Sequence, residues 1–224
     1  KTGTLTMNEM TVRSVLTADT SFNVEGQSYE PKGRITLAGG TAPINWADHP
    51  NLAAFIRAVD TCNDSSVQRD DSGRWGVVGG PTEGALKVLA RKAELPAQEV
   101  RRLGKIPFDS SYKYMARRCD VGDENLIYLK GAPDVLLGMC EQQLGKDGIQ
   151  PLDRDYWERE MGHIASQGLR MLAAAHRPVP GADSEIDHPD VQQGMVFLGI
   201  AGLMDPPRPE AIDAIAMCRQ AGIQ

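Results

Sequence analysis

Lys130 is the charged side chain that this sequence places best for chemistry. The four apolar residues at 126–129 predict a strand buried on both faces, and the lysine follows where that strand ends. Gly131 comes next and would let another group approach the backbone closely. Pro133 and Asp134 suit the first turn of a following helix. The strand therefore brings one ammonium group to the edge of a sheet, where it either meets an anion or is an ordinary solvated lysine.

The composition argues against several classes of function. The 24 basic and 30 acidic residues give a net charge of −6, whereas nucleic-acid binders normally carry a basic face. No apolar run approaches the roughly 18 residues of a membrane span, and no P-loop pattern GxxxxGK[ST] is present. Without a CxxC pair or a spaced histidine set, we expect no zinc site, reduced thiols, and histidines in surface or loop positions. These residues are Cys62, Cys119, Cys140, Cys218, His49, His163, His176 and His188.

Apolar periodicity predicts the elements that position these side chains. Residues 31–50 are rich in glycine, proline and threonine and predict a surface loop. Gly168 should end the helix before it, and the next strand should turn Arg170 away from its neighbours. The predicted strands lie at 11–16, 22–29, 67–69, 75–78, 106–112, 126–129, 169–175 and 194–204. The predicted helices pass through 52–59, 86–93, 135–139, 157–165 and 211–219.

Five short motifs occur in order along the chain. They are KTGTLT at 1–6, CNDS at 62–65, PTEGAL at 81–86, KGAPD at 130–134 and MDPPRPEA at 204–211. Together they resemble the cytoplasmic loop of P-type cation-transporting ATPases, closest to the calcium-pump and sodium-pump branch. The resemblance implies a nucleotide-binding domain with stubs of the phosphorylation domain at both ends. We expect an α+β fold, in which helices flank a mostly antiparallel twisted sheet.

The resemblance also implies how the chain is divided. Residues 1–8 would be a phosphorylation-domain stub and hinge strand, 9–204 the nucleotide-binding domain, and 205–224 the hinge and returning stub. The expected hinge residues are Asp205, Pro206, Pro207 and Arg208, which would lie beside residues 6–9. The double proline would otherwise be only a stiff connection before a helix.

The resemblance implies an ATP site, and the residue types suit that ligand. Phe108 can stack on adenine, and Glu83 can accept a hydrogen bond from its exocyclic amine. Glu83 could alternatively be a first-turn acid that complements a helix dipole. Lys130 should line the pocket beside the ring and the ribose. The implied nucleotide-binding residues are Thr82, Glu83, Phe108, Lys113, Lys130, Gly131 and Arg170.

Cations at two other matching positions suit the phosphates. Lys113 lies five residues after Phe108, as the family spacing requires, and we expect it to bind phosphate together with Arg170. Gly131 would allow close approach, and Thr82 would either cap its helix or bond the ligand.

One position departs from the family pattern. Such pumps often carry a basic residue two places after the aromatic one, where this chain has Ser110. We expect this phosphate contact to be missing, or to be supplied by Arg117 or Arg118.

The implied reaction needs more than this chain. The phosphorylated aspartate would precede Lys1, and the acidic Mg²⁺-binding motif would follow Gln224. Because phosphoryl transfer needs acceptor, metal and nucleotide in line, we expect no catalytic or metal-binding residue here, and ATP or ADP binding without hydrolysis. The parent would be a P-type ATPase that forms an aspartyl-phosphate with Mg²⁺ and moves a cation, for which calcium is a candidate.

The expected protein partners are the phosphorylation and actuator domains, at the cytoplasmic face of a membrane. The chain itself should be a soluble monomer that neither enters the membrane nor binds nucleic acid. One alternative is a scaffold module without nucleotide binding. Another is the heavy-metal branch of these pumps, which recognises adenine with a His-Pro pair such as His49-Pro50 or His188-Pro189, although Phe108, KGAPD and DPPR favour the first branch.

Overall fold

The computed structural model describes residues 3–26, 28–181 and 185–222. Over these residues the chain forms twelve strands, five α-helices and two short 3₁₀ helices at Trp46–Asp48 and His188–Val191. The strands are β1 Thr11–Leu16, β2 Ser21–Val24, β3 Ile35–Leu37, β4 Ser66–Arg69, β5 Trp75–Val78, β6 Val100–Asp109, β7 Tyr114–Val121, β8 Glu124–Gly131, β9 Cys140–Gly145, β10 Gly148–Pro151, β11 Arg170–Pro178 and β12 Met195–Met204. The helices are α1 Pro50–Thr61, α2 Pro81–Ala93, α3 Pro133–Met139, α4 Arg154–Ser166 and α5 Pro209–Gln220.

Ten of these strands form one sheet. Its main path runs β3-β2-β1-β12-β11-β8-β7-β6, and every neighbouring pair on that path is antiparallel. Strand β9 joins β12 in parallel and pairs with β10, while β4 and β5 form a separate ribbon. The expected α+β class, with a mostly antiparallel sheet flanked by helices, is confirmed.

The sheet is covered by helices on both faces. Helices α1 and α2 bury Phe55 and Leu86 against one face, and α3 and α4 bury Leu136 and Trp157 against the other. Nine of the ten residues of β12 are buried, which explains its continuous apolar run. Within the described ranges, no helix is both long and apolar enough to cross a membrane.

Strand β8 shows the alternation that places the site. Its residues Leu126 and Tyr128 pack on the side of α1 and α2, whereas Ile127 and Leu129 pack on the side of α3 and α4. Because successive side chains of a strand point to opposite faces, Lys130 belongs to the side that α1 and α2 cover. The prediction that this strand is buried on both faces is confirmed.

Most predicted elements are present, and the differences lie in polar segments. The loop expected at 31–50 contains β3 and a 3₁₀ turn, and β2 ends at Val24 instead of near residue 29. Strand β6 begins at Val100, six residues before the predicted start at Ile106, because its first half lies at the sheet edge and needs few apolar residues.

Two further features were missed. The hairpin of β9 and β10 carries few apolar residues and gives little strand signal in the sequence. His176 lies within β11 and not in a loop, so the expectation for this histidine was wrong. Burial lowers the pKa of His176 and favours its neutral form.

Candidate functional site

One cavity of about 480 Å³ gathers the residues that the sequence singled out. It lies where β8 ends, between the first turn of α2, the β6–β7 turn and the start of β11. All seven expected binding residues line it, together with a backbone edge and two apolar side chains. The lining residues are Gly80, Thr82, Glu83, Phe108, Lys113, Lys130, Gly131, Ala132, Arg170, Met171 and Leu172.

Lys130 is not the free cation that the sequence suggested. Its side chain is 4% exposed, and its Nζ donates a hydrogen bond to Oε1 of Glu83, which is 26% exposed. A buried ammonium group without a carboxylate would be costly, and α2 supplies the partner in its first turn. Glu83 is therefore both a first-turn acid and the counter-ion of Lys130.

Residues 62–65, which we call the CNDS corner, hold α2 in place. Asn63 is fully buried, and its Nδ2 donates to the carbonyl oxygens of Val59 at 3.2 Å and Glu83 at 2.9 Å. Its Oδ1 accepts from the Ser65 amide at 2.9 Å, and the Ser65 hydroxyl donates to Oε2 of Glu83 at 3.4 Å. Burial raises the pKa of the neighbouring Cys62 thiol to about 12, so it stays protonated near neutral pH. The corner thus positions the Glu83 carboxylate and contains no reactive thiolate.

Gly131 allows close approach of the chain's own backbone, at Lys113 and Tyr114, and not of a ligand as the sequence suggested. A Cβ atom there would lie 2.4 Å from the carbonyl oxygen of Lys113 and 2.8 Å from Cα of Tyr114. The Lys113 carbonyl oxygen accepts from the Ala132 amide at 3.0 Å, and the Lys113 amide donates to the Asp109 carbonyl oxygen at 2.7 Å. These contacts hold Lys113 in the left-handed region, with φ of 59°. The turn is thereby fixed against the end of β8.

The β6–β7 turn is also braced from within. The Ser111 amide donates to Oδ1 of Asp109 at 2.7 Å. Hydrogen bonds from Ser111 lower the pKa of the Asp109 carboxyl, so it stays ionised near neutral pH. Phe108 precedes this turn and leaves 63% of its surface exposed, so its ring is available to a flat ligand.

The start of β11 forms the remaining wall. Arg170 is exposed and lines the cavity, whereas Leu169 is only 8% exposed, as the sequence predicted. Met171 and Leu172 add an apolar surface that we did not assign from the sequence. The apolar run at 169–175 was the available signal.

Thr82 lines the cavity without capping its helix. Helix α2 begins at Pro81, and Gly80 is the N-cap residue with no side-chain cap. Proline is favoured in the first turn, which leaves Thr82 one position inside the helix. The capping alternative was wrong.

Neither arginine expected as a substitute near Ser110 reaches the cavity. Arg117 is paired with Asp64, and Arg118 donates to the carbonyl oxygens of Pro180 at 3.3 Å and Gly181 at 3.1 Å. Although burial alone would raise the pKa of Asp64, Arg117 and Lys105 lower it overall.

A larger cavity of about 810 Å³ includes Arg118 but none of the expected binding residues. Nor do the two histidines of the His-Pro pairs line the site. His49 contacts Phe22 at 5.0 Å between ring centroids, and His188 stacks on Tyr112 at 4.0 Å.

The two segments expected to form a hinge lie side by side. Thr6 and Pro207 form an antiparallel bridge, and the Met7 amide donates to the Pro206 carbonyl oxygen at 2.9 Å. The Thr6 hydroxyl donates to Oδ2 of Asp205 at 2.6 Å, and Nε of Arg208 donates to the Thr6 carbonyl oxygen at 3.0 Å. Lys1 and Thr2 of the first motif, and the terminal Gln224, lie outside the described residues.

The chain is similar in sequence to known proteins. The family described as "P-type ATPase, cytoplasmic domain N" matches residues 51–210. The chain is 42% identical over 233 residues to the cation-transporting ATPase pma1 of Synechocystis, and 36% identical over 236 residues to a calcium-transporting ATPase of Bacillus subtilis. It is 31% identical over 233 residues to the calcium-transporting ATPase type 2C member 1 of Bos taurus.

Each alignment covers 100% of this chain but only 25%, 26% and 22% of these relatives in that order. The chain therefore spans about a quarter of their length.

Replacing Lys130 should test the ion pair. We expect Lys130→Met to lower the free energy of unfolding by about 2 kcal/mol, because it leaves Glu83 without its cation in a partly buried place. Adding Glu83→Gln should recover part of that loss. The control is Lys32→Met, since Lys32 is 78% exposed in its pair with Glu30 and should change stability by less than about 0.5 kcal/mol. Equal effects of the two lysine variants in urea denaturation would contradict the pairing.

Gly131 and Gly138 offer a matched test of the backbone contact. Gly131→Ala should lower the free energy of unfolding by about 2 to 4 kcal/mol, because the added Cβ meets backbone atoms that cannot move independently. Gly138 lies in α3 with open space around it, so Gly138→Ala should be neutral or stabilise by up to about 1 kcal/mol. Thermal unfolding of both variants measures the difference, and a harmless Gly131→Ala would refute the close approach.

Proposed function

The chain belongs to the family of P-type ATPase cytoplasmic N domains, and from this premise we propose that the cavity beside Lys130 binds ATP and ADP. The observation that carries the proposal is that all seven residues implied by the family resemblance line one cavity. They come from α2, β6, the β6–β7 turn, β8 and β11, so five separate parts of the chain contribute to it.

The chemistry of the walls suits a nucleoside with a polyphosphate. Adenine would lie between the Phe108 ring and the apolar surface of Leu172, where stacking and burial both contribute. Its exocyclic amine would donate to Glu83, whose carboxylate already has one partner in Lys130. The Lys130 stem would then pack near the ring while its charge stays paired.

Phosphates would lie on the side of the two unpaired cations. Lys113 and Arg170 both line the cavity, and no carboxylate is paired with either within the described residues. Charge-assisted hydrogen bonds from these groups would bind an anionic tail. Within the described part of the chain, the cavity lining contains no cation besides Lys113, Lys130 and Arg170, which favours modest affinity.

The cavity does not fit a Mg²⁺ site of its own. Magnesium prefers carboxylate and water oxygens in octahedral geometry. Among the residues that the structure describes, the only carboxylate in the lining is that of Glu83, which is paired with Lys130. The metal would arrive bound to the phosphates, and the protein residues that hold it would lie elsewhere. The residues described here bind and orient the nucleotide.

We extend the proposal to the protein of which this chain would be a part. Its relatives are named as cation-transporting and calcium-transporting ATPases, so an ATP-driven cation pump is the function proposed for the whole, with calcium as a candidate ion. In that protein, 9–204 would carry the nucleotide, and 1–8 and 205–224 would connect to the phosphorylation domain. The pairing of residues 6–7 with 206–207 suits a two-stranded hinge. The phosphorylation and actuator domains would be its partners at the cytoplasmic face of a membrane.

Calorimetric titration with ATP tests the proposal directly. We expect a dissociation constant on the order of 0.1 mM to a few mM, because the pocket is open and offers one stacking ring and few polar contacts. ADP should bind in the same range. Absence of heat at ATP concentrations of about 10 mM would refute nucleotide binding, and nanomolar affinity would contradict the open site.

Phe108→Ala should weaken the binding of ATP and of ADP by similar factors, since the ring would contact the base and not the phosphates. A loss of about 1 to 2 kcal/mol is expected from lost base stacking. Ile149→Ala is the control, because Ile149 is also exposed, at 52%, but lies on the β9–β10 hairpin away from the cavity. Unchanged nucleotide binding by a folded Phe108→Ala variant would show that adenine does not stack on Phe108.

A further inference from the structure

A strap of residues 185–191 contacts the β6–β7 turn through His188, which does not line the cavity. Its central residue His188 stacks on Tyr112, with ring centroids 4.0 Å apart and planes 28° apart. The same ring meets Tyr114 edge-on at 5.6 Å, and its Nδ1 shares a hydrogen bond with the Tyr114 hydroxyl. His188 therefore contacts the residues immediately before and after Lys113.

The strap is itself held at both ends. Arg118 donates to the Glu185 carbonyl oxygen at 3.4 Å, and Val191 is fully buried in the core on the side of α3 and α4. Between them, the Asp187 side chain accepts from the His188 amide at 2.7 Å and the Asp190 side chain from the Asp187 amide at 2.8 Å. These hydrogen bonds and the buried Val191 fix the backbone on both sides of His188, so its ring is held in position against the turn.

Lys113 needs such a contact more than most residues. A non-glycine residue in the left-handed region is strained and keeps that conformation only when its surroundings demand it. On the C-terminal side of Lys113, Tyr114 is buried, with 3% of its surface exposed. On the N-terminal side, Tyr112 is 50% exposed and stacks on His188. The ring of His188 thus adds a side-chain contact to the backbone hydrogen bonds that hold this turn, and it packs on the exposed residue just before Lys113.

We propose that His188 is a positioning residue, which holds the β6–β7 turn so that Lys113 presents its ammonium group to the phosphates of a bound nucleotide. The inference rests on the proposed function, because it assigns Lys113 to the phosphate side of that site. It also gives a role to His188-Pro189, the pair that the sequence left open as an adenine-binding motif. The histidine acts through two tyrosines and does not touch the ligand, because it does not line the cavity.

The test compares ATP with adenosine, which lacks the phosphates, by NMR titration of the chain. His188→Ala should weaken ATP binding about fivefold and leave adenosine binding within about twofold, because only the phosphate contact is displaced. His163→Ala is the control, since the ring of this exposed histidine on α4 hydrogen-bonds to Gln167 and does not line the cavity, so the variant should change neither affinity. His188→Phe keeps a stacking ring and should restore part of the ATP affinity.

A double variant separates positioning from general damage. In a Lys113→Ala background, His188→Ala should change ATP affinity by less than about twofold, because the group that it positions is already gone. If His188→Ala fails to fold, Tyr112→Ala removes the same stack from the exposed side and should show the same selective loss of ATP binding. Equal losses for ATP and adenosine, or an undiminished effect without Lys113, would overturn the inference while leaving nucleotide binding intact. A parent chain that binds neither ligand would instead refute the proposed function.

Discussion

A buried ammonium group requires a counter-charge, and that requirement organises the whole site. Lys130 is carried to the end of β8 on the face that α1 and α2 cover, where water cannot solvate it. Its pair with Glu83 draws the first turn of α2 against the sheet and so forms one wall of the cavity. Asn63 reinforces the same contact by bonding the Glu83 carbonyl oxygen. The ion pair is therefore structural as well as a candidate for contact with a ligand.

The second wall depends on the next residue along the strand. Gly131 lets the backbone of Lys113 and Tyr114 approach to a distance that a side chain would block. Two consecutive residues of β8 thus set both walls, one by charge and one by the absence of a Cβ. The strap of residues 185–191 contacts the second wall through Tyr112 and Tyr114, the neighbours of Lys113.

Local sequence patterns predicted the individual strands and helices, but they did not predict the ion pairs that join two elements. Strands β8 and β12 are visible in the sequence because burial on both faces leaves a continuous apolar run. Helix α1 is visible because burial of one face leaves a repeat of between three and four residues. The pairs Lys130–Glu83 and Arg117–Asp64 join positions 47 and 53 residues apart, and periodicity reveals the face of a residue but not its partner. The convergence of the seven site residues was expected from motif resemblance, whereas the unavailability of Arg117 could be learned only from the fold.

In the proposed complex, adenine lies against Phe108 in the cavity of about 480 Å³. Intermolecular nuclear Overhauser effects from the adenine H2 and H8 protons of saturating ATP test this position directly. We expect contacts to the Phe108 ring and to the methyl groups of Leu172. Contacts instead to Ile186, which lines the larger cavity, with none to Phe108, would contradict it.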